Sequence, residues 1–127
     1  MNLDELEKIL ISKNGVTKEY PFGDEAMVFK VMGKIFGFIM WEKSPLQIVL
    51  KSDPQDAIGY REIYDCVREG YYMNKKHWIT VTMDGTMKDE ILTDIINESY
   101  DLVVAKLTKK EKKELSLRVD GYKLKED

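Results

Sequence analysis

Apolar positions along the chain recur at two different periods, and each period marks out its own elements. Leu3, Leu6 and Leu10 fall on one face of a short helix. Asn2 and Glu5 are spaced to cap each other's backbone, and Asn14-Gly15 supplies a stop. Tyr20-Pro21-Phe22-Gly23-Asp24 then breaks any regular structure. Residues 26–40 alternate at the period of two expected of a strand pair, joined at Gly33-Lys34 as a type II′ turn. That turn sets Met32 against Ile35, and so Val31 against Phe36, Phe29 against Phe38 and Met27 against Met40. These last six form one apolar face. Val28, Lys30, Met32, Ile35, Gly37 and Ile39 form a mixed one, which predicts a sheet with one buried side.

Further strands are predicted over residues 46–51, 68–73 and 78–83, where β-branched Ile79, Thr80, Val81 and Thr82 favour extended backbone. Between the first two, Asp53 as N-cap and Pro54 at the first helical position open a helix reaching about Tyr64. Asp84-Gly85 turns the chain again, and Thr86 with Asp89 predicts a second capping box. Ile91, Leu92, Ile95, Ile96, Leu102, Val103 and Leu107 follow at helical spacing and are expected to cover the sheet. The fold class is therefore α+β. It is a two-layer sandwich, an antiparallel sheet of about five strands with helices on one face, in the order α-β-β-β-α-β-β-α. A single domain spans residues 1–107, and a lysine-rich extension over 108–127 reads as a solvated helix.

Composition narrows the function classes. The chain has 127 residues, the size of one domain, and 34% of them are charged. No apolar run approaches the ~20 residues of a membrane helix. The acidic start Met1-Asn2-Leu3-Asp4-Glu5 does not resemble a secretory leader, so a cytoplasmic location is expected. One cysteine and one histidine, Cys66 and His77, offer no disulfide and no metal cluster. No nucleotide-binding, hydrolase or metalloprotease motif is present, so a non-enzymatic protein without cofactor or metal is expected. Net charge is −3, unevenly placed: from Lys106 onward eight Lys/Arg face five Asp/Glu, leaving −6 on the preceding body.

One stretch is dense in candidate chemistry, Gly70-Tyr71-Tyr72-Met73-Asn74-Lys75-Lys76-His77-Trp78. Cations at a hairpin tip beside aromatics can neutralise phosphates while a ring stacks on a base. The same residues also suit an ordinary polar turn with Tyr71, Met73 and Trp78 in the core. Both readings stand on sequence.

Several segments, read in order, resemble the MmcQ/YjbR family of small bacterial proteins. They include Tyr20-Pro21-Phe22-Gly23, Phe29-Lys30-Val31 through Gly33-Lys34, Leu50-Lys51-Ser52-Asp53-Pro54, the 70–78 stretch, Asp84-Gly85 and Ser99-Tyr100-Asp101-Leu102-Val103. Tyr72 stands where the family often has His. The resemblance implies an α+β fold like that of type III secretion chaperones. It also implies DNA binding through a "double wing" of hairpins. Carried onto this chain, Lys75, Lys76 and His77 would contact phosphates beside Trp78, with Lys34 and Arg61 assisting. The competing expectation is a protein-interaction module whose partner is another protein or a second copy.

Overall fold

The computed structural model describes residues 1–70 and 73–126, with side chains described up to Arg118. The elements are α1 (Leu3–Ile11), β1 (Val16–Glu19), β2 (Ala26–Val31), β3 (Lys34–Met40), β4 (Gln47–Lys51), α2 (Pro54–Ile63), β5 (Val67–Glu69), β6 (Trp78–Thr82), α3 (Asp89–Ala105) and α4 (Lys109–Glu126). The strands form one antiparallel sheet in the order β1-β2-β3-β4-β6-β5. Helix residues Leu6, Leu10, Ala57, Leu92, Ile95, Ile96 and Val103 pack with the inner face of the sheet into one core. The α+β layering expected from sequence is the one observed.

Local caps form where the residues call for them. Asn2 accepts from the Glu5 amide at 2.9 Å, with the Glu5 side chain returning to the Asn2 amide. Asp53 accepts from the amides of Gln55 and Asp56, at 2.9 and 3.3 Å, ahead of Pro54. The box expected at Thr86 does not form. The Thr86 amide and hydroxyl both donate to Asp84, at 3.0 and 2.6 Å, so that Lys88 becomes the N-cap of α3 without a side-chain bond. The nearer acceptor wins.

Six strands are observed against about five expected. The unread one, β1, is an edge strand whose last three residues are exposed, so it shows no apolar alternation; its pairing with β2 holds it. The β2–β3 register also differs from expectation. The turn is Met32-Gly33, with φ of 50° and 77°, and Val31 pairs with Lys34. Both central residues take positive φ, the type I′ arrangement that matches strand twist, and the Met32 side chain rests against the main core.

A bulge at Phe36 then resets the pairing, so that Phe29 faces Gly37, Val28 faces Phe38 and Met27 faces Ile39. Phe38 and Met40 therefore leave the helix side, and Ile39 joins it. The outer face, expected to be mixed, is apolar: Ala26, Val28, Phe38, Val49 and Trp78 form a second cluster. Phe22 covers part of it, its ring 6.3 Å from Phe38 and nearly perpendicular at 72°.

The strand expected over 68–73 is observed only as Val67–Glu69; Tyr71 and Tyr72 lie outside the described residues. The expected solvated helix at the C-terminus is present as α4, but it is not wholly solvated. Leu115 is buried in the main core, and the Asn14 side-chain amide donates to its carbonyl at 2.8 Å. No helix among the described residues is long and apolar enough to cross a membrane.

Candidate nucleic-acid interface

Register alone brings both hairpin tips to one end of the sheet. Lys34 begins β3, Lys51 ends β4 opposite Trp78 of β6, and Glu69 of β5 pairs with Ile79. The 32–33 turn and the 70–77 loop consequently project from the same edge, with only β4 between the two hairpins. At ~4.8 Å per strand, their centres lie about 14 Å apart. The end of α3 reaches this edge too, because the Ser99 hydroxyl sits 2.7 Å from the Lys51 carbonyl and 2.9 Å from that of Ile95.

The chain's charge divides along this axis. Lys34, Lys51, Lys75, Lys76 and Lys106 gather at the tip end, where Asp53, Asp56, Glu69, Asp101 and Glu111 also lie. Asp24, Glu25, Glu42, Asp65, Asp84, Asp89 and Glu90 follow from the same topology at the opposite end, against Lys43 and Lys88. A chain acidic in total thus places the exposed lysines of both hairpins at one end.

The 73–77 loop is built by Asn74. Its side-chain oxygen accepts from the Lys76 amide at 2.9 Å, and its carbonyl accepts from the His77 amide at 3.1 Å. Gly70 lets the strands close behind it: a Cβ there would lie 2.5 Å from the Trp78 Cβ. Lys75 and Lys76 are exposed on this loop, and Lys75 lies 4.0 Å from Glu69. Both line a hollow of about 300 Å³ with Arg61, Glu69, Pro54 and Ile58. The structure thereby joins three of the sequence candidates. One guanidinium nitrogen of Arg61 is buried and has no hydrogen-bond partner among the described residues.

The other candidates are placed differently. His77 is half-buried and its carbonyl accepts from the Ser52 amide at 2.8 Å. Trp78 is a correction: at 5% exposure it belongs to the outer-face core, so its ring is not open for a base to stack on. Lys34 lies across β4 from the loop, half-exposed and 3.3 Å from Glu111.

Sequence reasoning missed Lys51 and Lys106. Burial, reinforced by the nearby Lys106 charge, holds the Lys51 ammonium below the usual lysine range. Its place at the end of a predicted strand was readable. Its proximity to Lys106 is tertiary, as are the carboxylates Glu69 and Glu111 that attend the tips. Glu111 is held below the ordinary carboxyl range by the Thr108 amide first and by Lys34 after it.

With this geometry in view, comparison with known proteins is decisive for ancestry. The YjbR family model matches residues 11–102. The chain belongs to the YjbR family. YbdF of Escherichia coli O157:H7, an uncharacterised protein, is 44% identical over 94 residues, covering 74% of this chain and 77% of YbdF. YjbR of Escherichia coli K12 is 27% identical over 113 residues, covering 89% and 96%. The crystal structure of Deinococcus radiodurans protein DR2400, of domain family DUF419, matches with a TM-score of 0.85 at 36% identity, covering 91% of this chain and 88% of that one. A Pseudomonas syringae protein at 22% identity shares the fold, with a TM-score of 0.70 over 80% and 98% of the two chains. The YjbR family match ends before α4.

Proposed function

We propose that this YjbR-family chain is a non-enzymatic domain that holds duplex DNA by its phosphates, weakly and with little dependence on base sequence. The observation that carries the reading is the gathering of both hairpin tips, each with an exposed lysine, at one end of a chain acidic in total. Phosphate neutralisation by lysine supplies most non-specific affinity, and exposed lysines on two separated tips suit a backbone better than a base edge. The ion pairs of Lys34 with Glu111 and Lys75 with Glu69 lie at the surface. Such pairs are individually weak and exchange readily for phosphate. Lys75→Glu combined with Lys76→Glu is expected to abolish binding to a random-sequence duplex at low salt. Binding equal to the parent's would remove the role assigned to that loop.

A second reading rests on the outer face of the sheet and the opposite end. Phe22, Tyr20 and Trp41 are exposed there, 53%, 43% and 37%, near a hollow of about 290 Å³ lined by Phe22, Ala26, Phe38, Met40, Met73 and Glu25. An apolar surface of this kind suits a protein partner or a second copy. Concentration-dependent sedimentation that disappears in Phe22→Ser would favour self-association; an unchanged monomer would disfavour it.

A further inference from the structure

The lysine-rich helix α4 lies outside the residues that the YjbR family model matches, yet it is docked against the end that carries the hairpin tips. Its start is capped, and two contacts then fix it to the body. Thr108 and Glu111 cap each other at its start, with the Thr108 amide donating to Glu111 at 2.9 Å and the Glu111 amide donating to the Thr108 hydroxyl at 3.1 Å. Glu111 then meets Lys34 at the first hairpin. One turn later, Leu115 is buried against the turn after α1, where its methyl would stand 2.5 Å from a Cβ at Gly15. Gly15 is needed twice over, since its φ is +73°.

Glu111 and Leu115 share one helix face at i and i+4. At 100° per residue the opposite arc carries Lys109, Lys110 and Lys113, together with Leu117, and Lys112 lies on its flank. All four lysines are exposed. The inward-facing carboxylate is thus the one paired with Lys34, while the cations face out with Glu114, also exposed, at their edge. Lys106, just before the helix, extends the same strip towards Lys51.

We infer that α4 is a third phosphate-binding element, a docked basic rail that lengthens the surface offered by the two hairpin tips to a duplex backbone. The inference rests on the DNA reading above and deepens it. Charge complementarity selects the occupant: among the described residues, four exposed lysines with Ser116 and a single exposed apolar side chain, Leu117, suit a run of phosphates better than an apolar partner. Each lysine that meets a phosphate releases a counterion and contributes about 0.9 to the slope of log affinity against log salt.

The test compares the full-length parent with a variant carrying Lys109→Gln, Lys110→Gln, Lys112→Gln and Lys113→Gln, which leaves Glu111 and Leu115 in place. Both are titrated with a labelled random-sequence duplex across a salt series, beside the Lys75→Glu/Lys76→Glu variant. The expected result is a slope shallower by roughly 3 and an affinity at least tenfold lower at low salt. A slope and affinity equal to the parent's, with binding still lost in the Lys75/Lys76 variant, would overturn the rail and leave the hairpin reading standing. Loss of duplex binding in the parent itself would remove both. Preferential capture of the parent by anionic phospholipid vesicles would assign the rail to a membrane surface and overturn it too.

Discussion

The Lys51 ammonium sits 5.1 Å from the centre of the Trp78 ring, and that ring is only 5% exposed. Lys51 thereby seals the outer-face core while its charge stays at the edge where the hairpin tips emerge. The aromatic most inviting as a base-stacking group is therefore part of the wall behind the site. Trp78→Ala is expected to cost about 3–5 kcal/mol of stability in urea unfolding, with Trp78→Phe costing much less. A Trp78→Ala protein as stable as the parent but defective in duplex binding would return the ring to the interface.

On the DNA reading proposed above, Glu111 competes with phosphate for Lys34. Glu111→Gln keeps a side chain able to cap at Thr108, since Gln serves that pattern as well as Glu. It removes the charge that Lys34 faces at 3.3 Å. The variant should bind duplex more tightly than the parent, by a few-fold at low salt, with a salt slope steeper by up to about 0.9. Thermal melting should remain close to the parent's, because the pair is exposed. Weaker binding would mean that Glu111 orients Lys34 for its partner instead of restraining it.

How far the sequence reaches is uneven, and the reason differs by element. Asn2 with Glu5, and Asp53 with Pro54, are local chemistry; each forms as its residues predict. The β2–β3 pairing was legible as a hairpin but not in register. A methionine at positive φ leaves no sequence cue, and the bulge at Phe36 is set by packing on both faces. Strand β1 escaped because an exposed edge has no alternation to read. At the site, the exposed lysines of the 73–77 loop were visible, whereas Lys51 beside Lys106 and Lys34 beside Glu111 depend on elements 55 and 77 residues apart in sequence. Burial decided Trp78, and no turn propensity reports burial.

Tyr60 gives the fold a titration signature. Burial first, and then its 2.5 Å hydrogen bond to Glu98, raise its phenol above the ordinary 10.0. A folded-state value above the unfolded one favours the fold fully below pH 10, and that advantage is lost as pH rises beyond it, because the unfolded chain ionises first. Tyr60→Phe should lower stability near neutrality by about 1 kcal/mol and flatten the alkaline decline. Tyr100, also raised by burial, keeps part of that decline in place. Urea unfolding followed from neutral to about pH 11 makes the comparison; parallel curves for parent and variant would contradict the assignment.

The proposal as a whole depends on cations standing together at one end of an acidic body, within reach of a polyanion. Equilibrium binding of the full chain to a random-sequence duplex, measured over a salt series from about 20 to 200 mM, addresses it most directly. The expected outcome is measurable binding at the low end that falls linearly in the logarithmic plot, with a slope reporting several displaced counterions and little change between sequences. No binding at the lowest salt, or binding indifferent to salt, would contradict it.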